Sequence, residues 1–372
     1  MKSLASLLVM WGKALDKLTI REDNSEDEES PSQKMGGVAS VMDPEKKGRT
    51  ALAVEALWDG IGPISDWEGL LDLLLLDHSA AVEEGGDAAP SSSSSPNGRN
   101  VVDALWRLSE AEEAITLELF TGSIRKAVGE AVAAKKVSIL LRPNTEAVLI
   151  LSDLQGEDQV VSDITRALIK GLPRLFLKHQ GDESRIADVL LLPSLMNLET
   201  YLDMRVVTVS GPSPWVSCVS PFLQAYENLW GDVTKQLLTH SSQIVLVPAV
   251  AAIQKFMSVT SLSNTNNAKI LELEEELSTS LRDAIAGREE LDMAAFTEDE
   301  SLALGHICTR FAVLTKVRNL VSCLEEDEGG KQSSAYDILN ALADRGKLGY
   351  REEETVRHPP PRTFLTSAHL CD

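Results

Sequence analysis

The chain has 372 residues, of which 35 are Lys or Arg and 57 are Asp or Glu, giving a formal net charge of −22. Its hydrophobic fraction is 43% but its aromatic fraction only 5%, so the apolar content is mainly aliphatic; this favours helices and argues against a β-sandwich or barrel. The acidic balance excludes a protein that coats nucleic acid over its whole surface, and leaves nucleic-acid binding only to a local basic patch.

The length suits two compact domains or one extended repeat array. Four cysteines, Cys218, Cys308, Cys323 and Cys371, stand far apart without a CxxC pair, which suggests neither a zinc module nor a disulfide framework and fits a reducing compartment. The first residues, MKSLASLLVMW, read as an amphipathic helix cut off at its start. Residues 22–29 carry six acids in eight positions, and the Ser, Pro and Gly around them extend a solvated linker to about Gly48. From Ala51 to His78 the runs ALAVEALW and DWEGLLDLLLLDH, parted by Gly60, Gly62 and Pro63, predict a helical hairpin. The Gly85 to Gly98 stretch is too polar to bury and too rich in Gly and Pro for a helix.

Ser109 and Glu112 form a capping box. Behind it, Leu117, Phe120, Ile124, Ala127 and Ala131 recur at helical spacing. The next helix carries Val161, Ile164, Leu168, Leu172 and Leu175 on one face, with Pro173 expected to bend or break it. Asp182 caps a short helix ending near Pro193. Ile270, Leu273, Leu277, Leu281 and Ile285 make a further stripe, with Glu272, Glu274, Glu275 and Glu276 on its solvent side. A last long helix is predicted from about Glu298 to Leu324, with Ile307, Phe311, Leu314 and Val321 inward. Two segments oppose the helical reading: Val137 to Leu151 reads as a β-hairpin around Pro143-Asn144, and Val206 to Val219 as strand, turn, strand. Five or six helical pairs at roughly 40-residue spacing predict an all-α, HEAT/armadillo-like α-solenoid.

No GxxxxGK[ST], GxSxG, HExxH or GxGxxG motif is present, and no catalytic, metal or cofactor site is predicted. Ser123 and Lys126 match SxxK on a helix without the companion motifs. His306 and Cys308 fall on different helix faces and cannot share a metal. Trp58, Trp67, Trp106 and Trp230 read as core filling. No run spans a bilayer; QIVLVPAVAAI, the densest, is too short and contains Pro248. The basic residues cluster locally: Arg125 and Lys126 on the capped helix, Lys135 and Lys136 at its end, and Lys170, Arg174 and Lys178 at steps of four. Such cations complement the helix macrodipole or contact phosphates.

The words of the sequence go further. ALAVEALW with DWEGLLDLLLLDHS, then LSEAEEAITLELFTGSIRKAVGEA, then ITRALIKGLPRLFLKHQGDESRIADVLLLPSLMNLETYLDMR, and finally AYENLWGDVTKQLLTHSSQIVLVPAVAAIQKF and SLSNTNNAKILELEEELSTSLRDAIAG resemble, in order, the stromalin (stromal antigen) family of cohesin subunits, fungal type. The resemblance runs from about Arg49 to about Leu324 and implies a middle slice of a longer protein. It implies non-catalytic work: a HEAT scaffold that binds the kleisin chain, meets the coiled-coil ring subunits indirectly, and holds double-stranded DNA or chromatin in the nucleus, supporting sister-chromatid cohesion. Arg125, Lys126, Lys135 and Lys136 are then the DNA-contact candidates. The alternative is a generic α-solenoid adaptor that touches no nucleic acid.

The organisation expected is a truncated helix and acidic linker at 1–48, a helical array at 49–325, and a C-terminal helix with an irregular tail at 326–372. The array carries an insert at 80–98 and a doubtful one at 206–224. The second has no family counterpart: three prolines and Gly211 oppose a helix, while joining Arg205 to Ala225 gives an unbroken stripe. It reads as a translated intron, a real family insert or a strand pair.

Overall fold

The computed structural model describes residues 1–23, 48–78, 106–140, 147–202, 221–285, 297–321, 324 and 335–352. Among them there is no strand, and the chain is all-α. It divides into two compact units, Met1–Thr200 and Tyr201–Asp372. The expected insert at 80–98 and residues 206–220 of the doubtful one lie outside the described residues; Pro221 to Gln224 begin a helix.

In the first unit the helices are α1 (Lys2–Asp23), α2 (Arg49–Leu57), α3 (Gly62–Ser65), α4 (Trp67–Leu75), α5 (Glu110–Leu140), α6 (Ala147–His179) and α7 (Glu183–Leu195). The other six all pack on α5, because its apolar residues reach more than one side: Leu117, Leu119, Phe120 and Ile124 are all buried. Val54, Ile64 and Leu119 centre one cluster, flanked by Leu4, Leu8, Leu57, Trp58, Ile61 and Ile115. Two glycines let helices approach: a Cβ at Gly122 would lie 3.1 Å from Val54, and one at Gly171 would lie 3.1 Å from Leu71.

The starts of these helices follow from side-chain oxygens that take orphan N–H groups. Asp66 accepts from the Gly69 N–H at 3.0 Å, and Asp182 from those of Ser184 and Arg185, both at 3.0 Å. At Ser109 the backbone N–H donates to Glu112 at 2.8 Å, and the Glu112 N–H returns to the Ser109 hydroxyl at 3.4 Å. The Ser6 hydroxyl also donates to Glu112, and this bond is the first cause that holds the Glu112 carboxyl below its ordinary pKa.

Two expectations are corrected here. Val137–Leu140 end α5 and Ala147–Leu151 begin α6, so this segment forms no β-hairpin; short apolar runs fit a strand or a helix equally well, and the flanking helices decide. Of the bend or break expected at Pro173, the break does not occur: α6 continues through it to His179. The ring sits on the exposed side, where water can take the carbonyl that loses its partner.

The second unit holds α8 (Pro221–Thr239), α9 (Gln243–Met257), a 3₁₀ turn (Thr260–Leu262), α10 (Ser263–Ile285), α11 (Glu298–Leu314) and α12 (Ala335–Glu352). Here α9 packs on α8, α10 and α11, and α10 also meets α12. Ile270, Leu273, Leu277 and Leu281 are buried as the stripe predicts. The α11 helix starts with a second capping box, Thr297 with Glu300, not recognised from the sequence. It stops at Leu314 rather than Leu324, so Val321 lies at 37% exposure while Leu320 and Leu324 turn inward.

The corner between α9 and α10 is fixed by one amide. Asn266, 1% exposed, donates from Nδ2 to the Phe256 carbonyl at 2.6 Å and the Val259 carbonyl at 3.3 Å. Its Oδ1 accepts from the Tyr226 hydroxyl at 2.6 Å and from Trp230 Nε1 at 3.1 Å. Tyr201, Tyr226, Phe256 and Trp230 stack edge-on or tilted around it at 4.9–5.8 Å between ring centres. The chain bends by 85° at this point.

Candidate nucleic-acid interface

Arg125 and Lys126 follow one another on α5. Lys126 pairs with Glu130 at 3.1 Å, and Glu130 also accepts from Trp58 Nε1 at 3.0 Å. Arg125 is exposed and acts electrostatically on Asp188 of α7. Lys135 and Lys136 belong to the last two turns of α5, and their side chains lie outside the described residues. An eleven-residue step from Arg125 to Lys136 is close to three helical turns, a rise of about 16 Å. The four positions thus share one element, but carboxylates stand among the first two: Glu130 against Lys126, and Asp188 near Arg125.

Asp188 is the most perturbed of these acids. Burial, then the charge of Glu118, push its carboxyl up to about 7, against the opposing pull of Arg125; Glu118 itself accepts from the Thr50 hydroxyl. A carboxyl raised in the folded state favours folding fully below its unfolded value near 4, and that contribution is lost as pH rises through 7. Asp188→Asn is therefore expected to stabilise the chain by about 1–3 kcal/mol at pH 8 and by almost nothing at pH 4. Urea unfolding at the two pH values checks this; an equal gain at both would assign the effect to packing.

The third cationic cluster has a structural task. The α4 helix ends without a glycine cap, so its last carbonyls need donors from elsewhere. Lys178 supplies two, to the carbonyls of Leu74 at 2.7 Å and Leu76 at 3.0 Å, and Arg174 one, to that of Leu75 at 2.8 Å. Lys178 also pairs with the buried Glu113. Arg185 stands 3.1 Å from Glu110, 3.3 Å from Asp182 and 3.8 Å from Glu113. His179, buried beside these charges, is pushed below its ordinary pKa chiefly by desolvation.

The same device recurs in the second unit. Arg310 on α11 donates from Nε to the Leu237 carbonyl at 3.0 Å, and from Nη2 to the His240 carbonyl at 3.1 Å; these close the C-terminal end of α8, which also lacks a glycine cap. Sequence reading named Arg174 and Lys178 but not their task, and missed Arg310. The available signal was the missing glycine after LLLLDH and after QLLTH.

Other candidates resolve simply. Ser123 is fully buried without a hydrogen-bond partner, and Lys126 turns to Glu130, so the two form no nucleophile–base pair. Cys308 is buried, which pushes its thiol up to about 12. Trp230 is core, as expected, but Trp106 is 65% exposed, because it precedes the α5 cap and so never reaches a helix face. His78, also buried, bridges α4 to the α5 entry: the Leu108 N–H donates to Nδ1 at 3.2 Å, so Nε2 carries the proton that goes to the Leu73 carbonyl at 2.7 Å. Among the described residues no group of three or more His, Cys, Asp or Glu could hold a metal, and no single helix is long and apolar enough to cross a membrane.

An array of packed helical hairpins with one modest cationic stretch defines a HEAT/armadillo-like α-solenoid. Residues 101–208 match the family described as cohesin subunit SCC3/SA, HEAT-repeats domain, a match that spans α5, α6 and α7 and supports a cohesin SCC3/SA family member. No curated protein matches the chain.

Proposed function

We propose that the chain is a non-catalytic HEAT-repeat scaffold of cohesin, of fungal type, that binds the kleisin subunit and double-stranded DNA on chromosomes in the nucleus and supports sister-chromatid cohesion. The observation that carries this reading is the coincidence of the family match at 101–208 with α5, the helix on which the rest of the first unit is built. Packed hairpins offer a long surface that an extended kleisin segment can follow without large rearrangement. The coiled-coil ring subunits join through kleisin.

DNA contact is assigned to Arg125, Lys126, Lys135 and Lys136. Weak, sequence-blind binding is expected, falling with salt at a slope of about −0.9 per neutralised phosphate. Charge reversal of all four should weaken binding to every sequence alike and flatten the slope by up to about four phosphates' worth. Filter binding of short duplexes at two salt concentrations tests this; an unchanged slope returns the four to solvated surface. Pull-down from nuclear extract tests the kleisin arm, and recovery of neither kleisin nor ring subunits would leave the generic adaptor.

A further inference from the structure

We propose that the corner where the end of α4, the entry to α5 and the end of α6 meet is a proton-operated clasp, closed while His78 and His179 are neutral and opened when they take up protons. The corner is built from side-chain donors. The carbonyls of Leu73, Leu74, Leu75 and Leu76 each accept from one: Leu73 from His78, Leu74 and Leu76 from Lys178, and Leu75 from Arg174. His78 also ties this end to α5, because the Leu108 N–H, one residue before the Ser109 cap, donates to its Nδ1 at 3.2 Å. In the neutral ring, 8% exposed, one nitrogen gives and the other receives. An imidazolium carries an N–H on each nitrogen and accepts nothing. A proton on Nδ1 would therefore point at the Leu108 N–H, two buried donors face to face, and the bond to α5 is lost.

His179, next in the chain to Lys178 and 2% exposed, has its Nε2 buried without a hydrogen-bond partner; in the protonated ring that atom becomes a donor with nothing to meet. Burial is the largest influence against a charge there. Lys178 and Arg185 oppose it as well, while Glu113 of α5 and Asp182 at the α7 cap favour it. The other charges at the corner are Asp77 and Arg107, adjacent in the chain to the bonded His78 and Leu108, Arg174 on α6, and Glu110, 3.1 Å from Arg185. Once the corner opens, a histidine takes its proton near pH 6.5. Closure is thus fully supported above that pH and lost below it, by about tenfold per ring at pH 5.5. Asp188 works the other way, since a carboxyl pushed up to about 7 steadies the unit as pH falls. Glu112, held below its ordinary value, acts at lower pH still.

This inference does not rest on the cohesin reading. The test uses the full chain carrying Asp188→Asn, which removes the opposing titration, and follows exchange of the Leu108 amide by nuclear magnetic resonance at pH 7.5 and pH 5.5, corrected for the intrinsic rate. Protection is expected to fall by about a hundredfold between the two. Adding His78→Gln or His179→Gln, whose amides do not titrate, should reduce the fall to about tenfold, and adding both should remove it. A fall of equal size with and without the two histidines would overturn the clasp. The ring resonances of the same chain decide the matter even where a glutamine variant fails to fold. Leu108 protection should drop in step with protonation of His78 and His179, and rings that become charged while Leu108 keeps its full protection would overturn the proposal as well.

Discussion

Asn266→Leu is expected to lower the stability of the second unit by on the order of 4 kcal/mol, although leucine has the same number of side-chain heavy atoms and the same branch point as asparagine. Two groups lose their partner at once, the Tyr226 hydroxyl and Trp230 Nε1, while the carbonyls of Phe256 and Val259 each lose one bond and keep the backbone N–H of Val259 at 3.1 Å and of Leu262 at 3.3 Å. Each buried polar group left without a partner costs about 1–3 kcal/mol, part of which relaxation recovers. Asn266→Asp separates the two halves of the effect. It keeps an acceptor for tyrosine and tryptophan, but it presents charged oxygens to the two carbonyls in place of the amide donor. If the donor half matters, aspartate will be at least as damaging as leucine at neutral pH. Urea unfolding followed by Trp230 emission measures both, and a loss below about 1 kcal/mol for leucine would show that the corner holds by packing alone.

Lys178→Met is expected to cost about 2–4 kcal/mol in the first unit. The thioether keeps most of the aliphatic stem but supplies no donor to Leu74 and Leu76, and it strips the nearest cation from the buried Glu113. Arg185, at 3.8 Å, remains as the weaker counter-charge. Amide exchange should quicken first in α4, whose end is uncapped. The salt slope of DNA binding should not move, which distinguishes this lysine from Lys126 on α5. Lys178→Arg should recover part of the stability; full loss in arginine would mean that the geometry of the ammonium, not its charge, decides.

How far the sequence was legible depends on whether a signal was local. Helix starts were plain at Ser109 and Asp182, because the capping oxygen and its N–H lie within a few residues of each other. The apolar stripe from Ile270 to Leu281 was equally plain, since periodicity assigns its face, but Glu274, expected on the solvent side, is buried, with Arg318 at 3.3 Å. The end of α11 was not, because the Leu314 to Leu320 turn keeps an apolar content that continues the pattern while the backbone departs from it. Val137 to Leu151 was misread because β-branched residues near a Pro-Asn pair also suit a hairpin, and nothing local reports that two long helices converge there. The basic residues were legible as residues but not as partners. Whether a lysine faces water, a phosphate or the carbonyls of another helix is decided by elements a hundred residues away, as with Lys178 and Leu74. The acids that temper Arg125 and Lys126 were hidden in part for the same reason, since Asp188 reaches α5 only through the fold.

Cross-helix capping by Arg174, Lys178 and Arg310 has a kinetic consequence. A helix that carries its own glycine cap can fray and reclose alone, but α4 and α8 borrow their last donors from α6 and α11. Opening α6 therefore exposes the end of α4 in the same event, and opening α11 exposes the end of α8. Each borrowed cap ties two helices into one opening unit, so amides near Leu75 should exchange with the same free energy as those in the last turns of α6, and amides near Leu237 with those around Arg310. Protection in each pair would rise and fall together across denaturant, whichever helix a substitution weakens.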